Sequence, residues 1–183
     1  GDSLAIGGVV NMASDTSLRS LTAWNYGHQA GLLFVGVSVR NANHVLLQDV
    51  FARADGSGGS KAGIYLTGSG GSAAKLVHTN AMAENDDQNV GLLLDPSSTT
   101  EVIDGRFDAS GGQADVGISA SGPNSYLKID HAAVSGVYGS LTNAGLKLNN
   151  GVTASLFGGR YAALDGDSTI AIDISGSDLT AAG

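Results

Sequence analysis

The sequence predicts an all-β solenoid, a right-handed parallel β-helix of about six coils, and three observations carry that expectation. A short unit, small-Gly-apolar-x-apolar, recurs along the 183 residues at steps of 26 to 32. Within each unit the two apolar positions are two apart, the period of a strand with one buried face. Between the units no stretch carries the longer periodicity of a helix, which removes folds built from alternating strands and helices. A repeat of this length signals stacked units that each bury their apolar face only against their neighbours.

The clearest unit is Ala62-Gly63-Ile64-Tyr65-Leu66. Copies are Ala30-Gly31-Leu32-Leu33-Phe34, Val90-Gly91-Leu92-Leu93-Leu94, Val116-Gly117-Ile118-Ser119-Ala120 and Ala144-Gly145-Leu146-Lys147-Leu148. Weaker ones are Ser3-Leu4-Ala5-Ile6 and Ala171-Ile172-Asp173-Ile174. The expected inward ladder is Leu32, Ile64, Leu92, Ile118, Leu146 and Ile172, with Phe34, Leu66, Leu94, Ala120, Leu148 and Ile174 beside it. The residue between the apolar pair is Leu33, Tyr65, Leu93, Ser119, Lys147 or Asp173, a variety that suits an outward position.

After each unit comes a first corner rich in Gly, Ser, Asn or Pro (67–72, 95–99, 121–125, 149–151), residue types that suit tight turns. A second strand follows, then a tight second corner expected at Asp49, Asn80, Gly105, His131 and Gly158. The third corner is a longer polar loop, as at 55–61 and 84–89, which absorbs the differences in period. Each coil therefore offers three short strands, pairing with their copies about 4.8 Å away along the axis.

The length fits one domain, residues 1–183. A net charge of −8 disfavours nucleic acid and anionic membrane surfaces as partners, since both reward Lys and Arg. With no Cys there is neither a disulfide framework nor a thiolate metal site. No apolar run is long enough for a membrane-spanning helix. Neither end reads as a capping helix, although solenoid ends need cover, so the chain is expected to be part of a longer protein.

Residues 62–83 carry Gly63-Ile64-Tyr65-Leu66, then Leu76, then Asn80, and this pattern resembles the parallel β-helix repeat of pectate-lyase-like proteins and phage tailspikes. The resemblance implies an extracellular or virion-associated module facing a polysaccharide. If such a module is an enzyme, the resemblance implies a polysaccharide lyase or glycoside hydrolase. The alternative is a non-catalytic structural or receptor-binding segment, self-associating as a trimer through outward apolar columns, Leu33 with Tyr65 and Leu93, and Leu46 with Val77 and Val102.

For chemistry, the expected carboxylate pair is Asp104 and Asp130, in the similar contexts Ile103-Asp104 and Ile129-Asp130. Stacked one coil apart they would lie about 5 Å from each other, near the separation of a retaining glycosidase pair. Two like charges at that distance call for a proton held on one of them or for a nearby cation, and Lys128 and Arg106 are the candidates for that cation. The bland alternative is a solvated acidic ladder. Candidate sugar contacts are Trp24 and Tyr26, clustered with His28 in what reads as a third-corner loop, and the corner imidazoles His78 and His131. Against these stand a Trp24 that plugs the core end and histidines that satisfy turn backbone. Lys147 and Asp173 are expected to form a cross-strand ion pair. No cofactor or metal is expected; calcium would have only the oxygen-rich loop 84–89, which lacks an ordered calcium motif.

Overall fold

The computed structural model describes residues 6–28, 32–67 and 71–182. Seventeen strands run through them: β1 (Ile6–Met12), β2 (Ser17–Arg19), β3 (Thr22–Gly27), β4 (Leu33–Arg40), β5 (Val45–Gln48), β6 (Phe51–Gly56), β7 (Ser60–Thr67), β8 (Ser72–Glu84), β9 (Gln88–Leu94), β10 (Ser98–Ser110), β11 (Ala114–Ser121), β12 (Tyr126–Val137), β13 (Thr142–Asn149), β14 (Thr153–Phe157), β15 (Arg160–Leu164), β16 (Ser168–Ser175) and β17 (Asp178–Ala182). They stack as a parallel β-solenoid of about six turns. One sheet takes β1, β4, β7, β9, β11, β13 and β16, and the other takes the remaining ten strands.

The second sheet is folded along its length. In the middle coils β8, β10 and β12 are continuous strands that bend once, whereas in the outer coils the same path breaks into β2 and β3, β5 and β6, or β14 and β15. The bend falls on a column of left-handed residues, Ser20 (φ 50°), Asp49 (53°), His78 (47°), Asp104 (45°), His131 (57°) and Gly158 (64°). Asp and His tolerate that region better than most side chains, and glycine enters it freely. The sequence points to Asn80 and Gly105 for two of these corners; the pairing of Val77 with Ile103 and of Ile103 with Asp130 places the bend at His78 and Asp104 instead.

The apolar core lies between the first sheet and the leading half of the second. Ile64, Leu92, Ile118 and Leu146 stack in register, with Leu66, Leu94, Ala120 and Leu148 beside them, and all are fully buried. Across the core stand Leu47, Leu76, Val102, Ile129 and Leu156. Complete burial of each such side chain is worth about 1.5–3 kcal/mol.

In the first coils the register differs from expectation. Val35-Gly36-Val37-Ser38-Val39, not the unit at Gly31, pairs with Ala62 to Leu66, and Val10 and Met12 precede Val37 and Val39. Phe34 instead stacks on Lys61, and the shift makes the coil lengths uniform. Both units fit the same local pattern, and only pairing distinguishes them. Ser3, Leu4, Ala5, Ala30 and Gly31 lie outside the described residues.

The expected apolar outer columns also differ. Leu33 and Tyr65 are buried in a small cluster with Val35 and Ala62, and Leu93 packs on it. The Tyr65 hydroxyl donates to Asp95, and burial, followed by that carboxylate, pushes the phenol up to about 12. Val102 faces the core, and the outward column there is Leu46, Lys75, Glu101 and Lys128.

Candidate binding groove

The repeated glycines do more than begin a strand. Gly36, Gly63, Gly91, Gly117 and Gly145 face inward against the backbone of the second sheet. A Cβ on Gly91 would lie 2.9 Å from Asp108 N, and one on Gly117 would lie 2.7 Å from Ser135 N. The solenoid is thus pinched along this column, where no side chain separates the sheets. On the outer side of the pinch run Trp24, Arg53, Met82, Asp108, Ser135 and Ala162 in register.

The outer surface over this column is concave. One hollow of about 390 Å³ is lined by Arg106, Asp108, Ser135, Tyr138, Arg160 and Leu164, among others. A second, of about 250 Å³, lies between Phe51, Asn80, Met82, Arg106 and Asp108. Because they share Arg106 and Asp108, the two hollows form a groove along the axis.

The groove pairs its charges. Asp108 accepts from Arg106 Nε and from Ser135 Oγ of the next coil. Arg53 bonds Asp55 at 2.8 Å, contacts Glu84 at 2.6 Å, and places its guanidinium 5.0 Å from the centre of the Trp24 ring. Asp55 also accepts from Gly56 N (2.7 Å) and Asn85 Nδ2 (2.9 Å). Desolvation pushes its carboxyl up, but Asn85, Gly56 and Arg53 together outweigh that and hold it below its ordinary value. Arg160 makes no ion pair among the described residues.

Aromatic rings stand proud at both ends. Trp24 is 55% exposed and Tyr26 62%, their rings edge to face with 6.3 Å between centroids, and His28 packs edge-on to Tyr26 at 4.6 Å. They sit on or just after strand β3, not in a loop, and Trp24 does not plug the core. At the other end Tyr138 is 68% exposed and holds φ 64°. A bulky side chain in that region is a backbone outlier, and such strain gathers at functional sites.

The sequence-derived site residues fall into separate places. Asp104 is opposite His131, and Asp130 is opposite Ile103, so the two carboxylates do not stack as a pair. The contexts Ile103-Asp104 and Ile129-Asp130 look alike but are one residue out of register. Lys128 is bound to Glu101 at 2.8 Å, which also takes Lys75 at 3.0 Å. The hydrogen bond from Lys128, then that from Lys75, holds Glu101 below its ordinary value. Arg106 alone of that set reaches the groove.

His78 lies on the corner column between Asp49 (3.5 Å) and Asp104 (3.7 Å), and His131 bonds its neighbour Asp130. Among the described residues no group of three or more His, Asp or Glu side chains could hold a metal ion. In loop 84–89, the Asp86 carboxylate accepts from Lys61 Nζ and from the amides of Gly58 and Asp87. Lys147 does pair in register with Asp173, without closing an ion pair.

The groove leaves little trace in the sequence because its cause, a backbone approach, has no side-chain pattern beyond the recurrent glycine. No family model matches the chain, and no curated protein or solved structure matches it.

Proposed function

We propose that this chain is a glycan-binding module that lays an extended polysaccharide along the groove, in keeping with the carbohydrate-facing resemblance of its repeat. The observation that carries the reading is the groove itself, flanked by exposed Trp24 and Tyr26 at one end and by Tyr138 and Arg160 at the other. Flat rings with polar edges suit sugar faces, and fixed guanidinium and carboxylate groups suit sugar hydroxyls. Along the groove and its Trp24 end, three cations, Arg53, Arg106 and Arg160, are matched in number by three carboxylates, Asp55, Glu84 and Asp108. That balance favours a neutral or sparsely charged glycan over a dense polyanion. An extracellular or virion-exposed location goes with this reading.

Binding without turnover fits better than lyase or hydrolase chemistry, because each groove carboxylate is held by a cation or amide. Affinity electrophoresis through neutral and acidic polysaccharides tests the proposal. Retardation by at least one polymer, weakened in Trp24→Ala and in Arg160→Ala, is expected; free migration through all of them overturns it. New reducing or unsaturated ends in a bound polymer would restore the enzyme reading.

A further inference from the structure

Of the contacts between lysine and carboxylate among the described residues, those of Lys75 and Lys128 with Glu101 are open to solvent. The third is dry: Lys61 is 0% exposed and Asp86 3%. Lys61 is the second residue of β7, and Asp86 sits in the turn between β8 and β9, one coil further on. The face of the Phe34 ring covers the amine, with Nζ 4.4 Å from its centre. Asn89 Nδ2 ties down the Asp86 carbonyl at 3.1 Å, so the turn presents the carboxylate in a fixed pose. Asp86 divides its oxygens: Oδ2 meets Lys61 Nζ, and Oδ1 accepts from the N–H groups of Gly58 (3.1 Å) and Asp87 (2.8 Å).

We propose that Lys61 and Asp86 condense spontaneously to an amide, a covalent cross-link that closes one coil of the solenoid into a ring. A charged pair withdrawn from water is costly, and moving one proton from Nζ to Oδ2 turns it into an amine and a carboxylic acid. The Nζ lone pair then attacks Cγ. Negative charge develops on Oδ1, where the Gly58 and Asp87 amides already point, an arrangement that stabilises such an oxyanion. A second proton passes from nitrogen to Oδ2, the Cγ–Oδ2 bond breaks, and Oδ2 leaves as water. The third proton stays on the amide nitrogen, so the step balances with no co-reactant. Proximity in a fixed pose replaces the activation that amide formation needs in solution, and exclusion of water disfavours the reverse hydrolysis.

The experiment is the intact mass of the full chain, folded at neutral pH and then denatured, followed by proteolytic mapping. The expected result is a mass one water molecule below that of the sequence, with a branched peptide joining the segments around Lys61 and Asp86. Lys61→Arg should return the full mass. An unmodified wild-type mass after prolonged incubation overturns the proposal. So does a lost water without the branch, as a succinimide at Asp55-Gly56, Asp104-Gly105 or Asp165-Gly166 would give, which dilute hydroxylamine reopens. Both decisive measurements are made on the wild-type chain, so they stand even where a variant fails to fold.

Discussion

The glycine pinch divides the interior into two compartments built on opposite principles. On one side Ile64, Leu92, Ile118 and Leu146 face Leu76, Val102 and Ile129 in an apolar cluster, with Thr100 a buried hydroxyl in register beside Ala74 and Leu127. On the other, towards the third corner, the inward column reads Phe34, Lys61, Asn89, Asp115 and Asn143, backed by the small residues Ala54, Ala83 and Ala109. There the buried groups hold the turns: Asn89 donates to Ser110 O and Asp115 Oδ1, and Asn143 Nδ2 bonds Gly139 O and Leu164 O. The first compartment is adjacent to short, regular corners and is filled by volume. The second is adjacent to the third-corner turns, which are not the long variable loops expected but run three or four residues each between β6 and β16, and whose backbone groups need partners that an apolar core does not offer.

Breaking the division itself should have the largest effect. Gly91→Val puts a side chain where even a Cβ lies 2.6 Å from Gly117 O, with backbone on both sides, and should cost about 3 kcal/mol or more, on the order of the worst overpacking cases. Urea denaturation measures it, and a loss below that of a surface control would show that the sheets can part there. Next comes Lys61→Met, which removes the cross-linking partner of Asp86 and leaves that carboxylate buried and unpaired; it should cost at least about 3–5 kcal/mol, against about 2–5 for Ile118→Ala in the apolar compartment.

Asp115→Asn sharpens the comparison by its pH dependence. Burial, working against the hydrogen bonds from Asn89 and the glycine amides, raises the Asp115 carboxyl in the folded chain. A raised folded value means that its contribution to stability is full in acid and is lost as pH rises through that value. The difference in stability between variant and wild type should therefore move in the variant's favour from acid to neutral pH. A flat difference in pH-resolved denaturation would rule this out. On the groove, Tyr138→Gly relieves a left-handed tyrosine and should raise stability by about 1 kcal/mol or less while weakening glycan retention. Smallest of all is Glu101→Gln, whose solvent-facing bridges should change the denaturation midpoint little and only at low salt.

The coils from Gly63 onward were legible because their glycines mark one register and their apolar pairs agree with it. The first coils were not, since the units at Gly31 and Gly36 satisfy the same rule. A slip of one residue turns a strand over, which is why the likeness of Ile103-Asp104 to Ile129-Asp130 suggested a pair that pairing does not form. The polar compartment left a different trace: Lys61, Asn89, Asp115 and Asn143 each stand two residues before a repeat glycine. That column is readable once inward-facing polar residues are allowed.

The pinch also gives the groove a scale. Beneath its lining side chains the two sheets meet backbone to backbone, so its features cannot stretch or drift along the axis; they recur once per coil, about 4.8 Å apart. A polymer lying there is compared with that spacing as one scale of a vernier is with the other. One whose own repeat differs will coincide at a single mark and fall out of phase beyond it, so affinity should stop growing with ligand length after a few units.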